Sequence, residues 1–232
     1  MSRIFENARH LGRVVALTLS FLMFVIAGPV AAQTVIRVSS FRSVELHSGG
    51  EVFLRHGSTQ RVTLLKGDAD CTRVTTDDAG RLVIEKYSAQ CHRKYDLQVE
   101  VVAPQFAEVA VNDGGHINSI GDFPRQREIR TAVRNGGSVD IRSIPADTVI
   151  ASVAQGGRIL VTPQTVLTAS VADGGQISYW GEPHVEKSIQ HGGAINKGTA
   201  ADLNEPLSEA PTCLSERSIP ASTSGRRRSW IF

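Results

Sequence analysis

Five glycine doublets divide the second half of this chain at near-even intervals. They are Gly114-Gly115, Gly136-Gly137, Gly156-Gly157, Gly174-Gly175 and Gly192-Gly193, spaced by 22, 20, 18 and 18 residues. Each sits in one phrase: a β-branched residue, a variable residue, then Asn, Asp, Gln or His, the two glycines, a variable residue, and Ile or Val. A period near 20 residues marks stacked repeats, in which no unit buries its apolar face alone.

The rungs begin at Val111, Val133, Val153, Val171 and Ile189, and Ile117, Val139, Ile159, Ile177 and Ile195 follow the glycines. A second strand precedes each later doublet. Alternate residues Val149, Ala151, Val153 and Leu167, Ala169, Val171 suit one buried face. The spacing predicts a β-solenoid of about five rungs, each about 4.8 Å above the last. The glycines have a backbone explanation first, because a tight corner needs positive φ or close approach of neighbouring chains. Asn, Asp and His are also tolerated in left-handed conformations.

Upstream, residues 34 to 104 read as short alternating strands separated by turns at Ser48-Gly-Gly50, His56-Gly57, Lys66-Gly-Asp68 and Asp78-Ala-Gly80. No amphipathic helix is evident after the first 32 residues. The expected fold class is all-β, a short-strand region leading into the solenoid. The expected divisions are 1–32, an export signal; 33–104, an N-terminal β region; 105–198, the doublet repeat, forming one unit with the preceding region; and 199–232, a tail.

The first division rests on Arg3, Arg9 and Arg13, the apolar run Val14–Ala27, and small residues Val30-Ala31-Ala32 at a cleavage position. The run is short for a membrane span, and an uncleaved anchor is the alternative reading. The chain is therefore expected to be exported: periplasmic, on the cell surface or secreted. The tail carries Pro206, Pro211 and Pro220, then Arg226-Arg227-Arg228 and Trp230-Ile231-Phe232, a composition poor in buriable surface.

Charge is nearly balanced, with 25 Lys+Arg against 23 Asp+Glu, so there is no electrostatic footprint for nucleic acid. Of the three cysteines, Cys71 and Cys91 flank a hairpin pattern that brings its ends together. In an oxidising compartment a disulfide is the favoured reading, and a metal pair lacks ligand spacing. Cys213 falls in the tail.

With both halves laid out, the chain resembles the bacterial head GIN domain family, described as autotransporter adhesin heads. The carrying residues are Phe41-Arg-Ser-Val-Glu-Leu-His-Ser-Gly-Gly-Glu-Val-Phe-Leu54, then Gly67-Asp68, Gly80-Arg-Leu-Val-Ile84, and the doublets ending at Gly192-Gly-Ala-Ile-Asn196 and Lys197-Gly198. The resemblance covers roughly residues 34 to 198. It implies an exported β protein with right-handed winding and no catalytic residues. Family repeats commonly read Gly-Ser-Gly at the corner, where this chain places Gly-Gly after a larger polar residue.

The residues before the doublets, Asp113, Asn135, Gln155, Asp173 and His191, would form a polar ladder along one edge. Two readings are open: hydrogen bonds between neighbouring rungs, or a strip that binds a glycan or cation. Asp113 and Asp173 would be about 14 Å apart, too far to ligate one ion. Tyr179-Trp180 offers a sugar-stacking platform or a cap on the core. The calcium β-roll pattern fails, because the third Gly and the Asp are missing.

No Gly-x-Ser-x-Gly turn or His-Glu-x-x-His pair is present. His47, His56, His92, His116, His184 and His191 lack ligand spacing, and Asp140 and Glu182 form no evident close pair of the kind glycoside hydrolysis needs. The expectation is a non-enzymatic protein without a cofactor that binds a glycan or an envelope partner. A purely structural envelope protein and a carbohydrate-active enzyme are the alternatives. Strand edges at the solenoid ends also invite homo-oligomers.

Overall fold

The computed structural model describes residues 34–87 and 96–199. They form an all-β unit of two open sheets that share one core. The nine-stranded sheet has the order β1 (Thr34–Ile36), β4 (Arg61–Lys66), β7 (Gln98–Ala103), β3 (Glu51–His56), β9 (His116–Ile120), β11 (Ser138–Asp140), β13 (Arg158–Val161), β15 (Gln176–Tyr179), β17 (Ala194–Lys197). The eight-stranded sheet runs β16 (His184–Gln190), β14 (Pro163–Ala172), β12 (Ala146–Ala154), β10 (Gln126–Arg134), β8 (Glu108–Asn112), β2 (Ser43–His47), β6 (Arg81–Lys86), β5 (Thr72–Thr76). A 3-10 turn at Ala69–Cys71 is the only helical element among the described residues.

The doublet region alternates between the sheets. A strand of the eight-stranded sheet enters each doublet, and a strand of the nine-stranded sheet leaves it. Pairing is parallel and in register: Val111, Val133, Val153, Val171 and Ile189 stack in one column. Ile117, Val139, Ile159, Ile177 and Ile195 stack in the facing column. The alternation read from the sequence holds, since Val149, Ala151, Val153, Leu167, Ala169 and Val171 are all buried.

The stack begins earlier than the doublet count implies. β2 pairs in parallel with β8, and β3 with β9, so Ser48-Gly49-Gly50 is a sixth corner and not a separate turn. β6 and β7 lie beyond β2 and β3, which gives seven strand pairs between the two sheets among the described residues. Both sheets cross residue 104 without a break, because residues 57–103 are inserted between the sixth corner and the rest. Antiparallel strands finish that end: β5 on β6, in the hairpin expected around Asp77–Gly80, and β4 between β7 and β1.

The second glycine of each doublet explains the repeat phrase. A Cβ at Gly137 would lie 2.6 Å from the Gly115 carbonyl oxygen and 2.8 Å from a Val111 methyl. The same collision with the preceding carbonyl and β-branched residue recurs at Gly157, Gly175 and Gly193. The β-branched residue and the glycine are thus contact partners in adjacent layers. The first glycine of each doublet has open space where its Cβ would be and is required only by positive φ.

Candidate binding edges

The residue before each doublet is left-handed: φ is 60° at Ser48, 60° at Asp113, 53° at Asn135, 60° at Gln155, 56° at Asp173 and 52° at His191. Short polar side chains tolerate this region best, because they compensate its strain with local hydrogen bonds. Backbone bonds lock the corners together. The N–H of Asp113 donates to Arg134 (3.2 Å), of Asn135 to Ala154 (3.1 Å), of Gln155 to Ala172 (3.0 Å) and of Asp173 to Gln190 (3.1 Å).

The five ladder residues therefore occupy successive corners of one edge. Their side chains meet in two pairs. Asn135 Nδ2 donates to Asp113 Oδ1 at 2.7 Å, and His191 Nδ1 lies 3.1 Å from Asp173 Oδ1. Gln155 stands between the pairs. The last pair is well exposed, at 57% for the Asp173 side chain and 79% for His191. Beside each polar residue the first glycine has no side chain, so the edge is a row of hydrogen-bonding groups next to bare backbone. Sequence reading missed its first member, Ser48, although Leu46-His-Ser-Gly-Gly-Glu-Val52 carries nearly the same phrase; the long insertion hid the period.

Tyr179 and Trp180 lie at the opposite end of β15 from Asp173, so the ladder and the aromatic pair occupy different edges. Tyr179 is buried with the core, and the Lys187 ammonium sits 5.6 Å from its ring centre. Only Trp180 of the two keeps a partly exposed surface. The Arg142 guanidinium lies 5.1 Å from the Trp180 ring centre and clasps Asp140, with Nε and Nη2 each within 3.1 Å of a carboxylate oxygen. Ser143 Oγ donates to Ser119 Oγ at 2.6 Å, and Thr162 Oγ1 donates to the Arg142 carbonyl at 3.0 Å. Arg142 was not legible as a partner of Trp180, because 38 residues separate them.

The carboxylates considered for hydrolysis are each engaged by a cation, Asp140 by Arg142 and Glu182 by Lys197. Among the described residues no group of three His, Cys, Asp or Glu side chains could hold a metal ion. The histidines are dispersed. His47 pairs with Glu45 (3.0 Å), His116 with Ser138 (2.7 Å), and His56 meets the Phe123 ring edge-on. Glu45 is the centre of a small network on the outer face of the eight-stranded sheet, bound also by Arg81 and Asn112. That network raises the Arg81 pKa, first through the hydrogen bond to Glu45 and then through its charge.

Cys71 ends the 3-10 turn and its carbonyl accepts from Tyr87 N–H at 2.8 Å. Cys91, His92 and Cys213 lie outside the described residues, as do the segment expected to be an export signal and nearly all of the expected tail. No described helix is long and apolar enough to cross a membrane.

Residues 125–183, from just before β10 to just after β15, match the family described as "Putative auto-transporter adhesin, head GIN domain". It is the family the repeat resembles, over a shorter span.

Among solved structures, the chain aligns over 72% of its length with 95% of a "putative adhesin" from Bacteroides fragilis, at 14% identity and a TM-score of 0.45. A "putative adhesin" from Parabacteroides merdae aligns over 72% of this chain and 96% of its own, at 13% identity and a TM-score of 0.35. A "Putative lipid binding protein" from Parabacteroides distasonis aligns over 72% and 96%, at 15% identity and a TM-score of 0.30. No curated protein matches the chain significantly.

Proposed function

We propose that the chain is an exported, non-enzymatic, adhesin-like protein, wound as a right-handed β-solenoid, whose glycine-corner edge binds a glycan of the cell surface or envelope. The observation that carries this reading is the corner row itself. Six left-handed polar residues at one edge present acceptors and donors at intervals of about 4.8 Å, beside glycines that let a flat ligand approach the backbone. The family match at residues 125–183 supports an adhesin-like role. The Arg142–Trp180 edge offers a second polar-aromatic surface, suited to stacking against a sugar ring.

A structural role in the envelope is the second reading. It is favoured by the Asp113–Asn135 and Asp173–His191 bonds, which tie neighbouring layers together. A glycan array separates the two. Selective binding to a glycan class supports the adhesin reading, whereas well-folded protein that binds no glycan moves the assignment to the structural one.

A further inference from the structure

The last strand pair leaves the stack open in a specific way. Among the described residues β16 is the edge of its sheet and pairs only with β14. Its register sets Val185, Lys187 and Ile189 opposite Leu167, Ala169 and Val171, all core residues. These three positions therefore face the end of the core, and Ile189 is 48% exposed where Val171 is 1%.

Two backbone series stop at the same place. Corner N–H groups donate to the following layer from Ser48 through Asp173, and corner carbonyls accept from it from Gly50 through Gly175. The next donor and acceptor in these series are His191 N–H and Gly193 C=O, which have no backbone partner among the described residues.

Lysine at a core-facing position is the second observation. The Lys187 ammonium lies over the Tyr179 ring and donates to the Ile195 carbonyl at 3.1 Å, between two apolar neighbours of its own face. An inward charge blocks indiscriminate pairing at an open edge. A purely apolar strand laid on β16 would bury an ammonium without a counter-charge, which is costly. A strand with a carboxylate at that one position would pair it.

We infer that β16 accepts one extended strand from a protein partner, parallel and in register, with apolar, acidic and apolar residues at alternate positions over Val185, Lys187 and Ile189. Backbone bonds supply affinity and the three inward positions supply selectivity, as in other strand-addition recognition. A second copy of the chain is a poor occupant. Its own β16 brings another Lys187 at the core-facing position, and its other edge strands, β5, β1 and β17, contain no Asp or Glu, so none supplies the carboxylate.

The test is an amide-resolved NMR titration of the full chain with the capped peptide Thr-Val-Thr-Glu-Thr-Val-Thr, beside the same peptide with Lys in place of Glu. The Glu peptide is expected to shift the amides of β16 and His191, with the Lys peptide about tenfold weaker. Lys187→Glu reverses that preference, and Lys187→Met abolishes it, which keeps the test usable if the charge reversal unfolds the protein. Equal binding of both peptides, no shift with either, or an unchanged preference in the variants overturns the inference. Concentration-dependent dimerisation through β16, seen by sedimentation, overturns it in favour of a second copy.

Discussion

Each doublet contains two glycines that do different jobs. Gly136 needs only a left-handed backbone, at φ 83° with open space around its missing Cβ, whereas Gly137 has φ 93° and is packed on the previous layer. Gly136→Ala should therefore cost about 1–2 kcal/mol. Gly137→Ala should cost about 1–3 kcal/mol more, because the new Cβ collides with backbone that cannot move aside. Urea denaturation of the two variants checks the order; equal costs would mean that the layers do not stack as described. At the rim, the Asp96 carboxyl is held below its ordinary pKa, first by the hydrogen bond from Lys66 and then by the Lys66 charge. A depressed folded-state pKa contributes stability above the unfolded value, and that contribution disappears as pH falls through the folded one. Lys66→Met should return Asp96 to ordinary carboxylate titration, followed by carboxyl NMR.

At the scale of elements, the hairpin of β5 and β6 tests the cysteine reading. Arg73 pairs with Glu85 at 3.2 Å and lies 4.2 Å from the Tyr87 ring centre, so the two arms meet beside Cys71. If Cys71 and Cys91 are bonded as expected from the sequence, Cys71→Ser costs about 3 kcal/mol and wild-type protein under reductant falls to the same stability. No effect of reductant would contradict the bond. The doublet strands were legible because one face is buried on the inner layers, which forces strict alternation in β12 and β14. Harder to see was that β2 and β3 belong to the same stack. Their corner carries Ser48 in place of the later Asn, Asp, Gln or His, and the inserted β4 to β7 break the interval. Side-chain partners across edges, such as Arg142 and Trp180, leave no local signal, because the stacking register and not the sequence separation brings them together.

For the whole molecule, the two edges divide the functional question. The corner edge was readable as a row before the fold was known, because every layer repeats it. Its pairing into Asp113–Asn135 and Asp173–His191, with Gln155 between, depends on side-chain reach and could not be read from spacing. The opposite edge keeps Trp180 partly exposed beside Arg142. The most direct test of the central claim compares glycan binding by wild type, by Asp113→Ala/Asp173→Ala, and by Ser152→Ala/Ser170→Ala on the exposed face of the eight-stranded sheet. Loss of binding in the first variant alone is the predicted result. Binding that survives in the corner variant, with its fold intact, would contradict the assignment of the corner edge as the recognition surface.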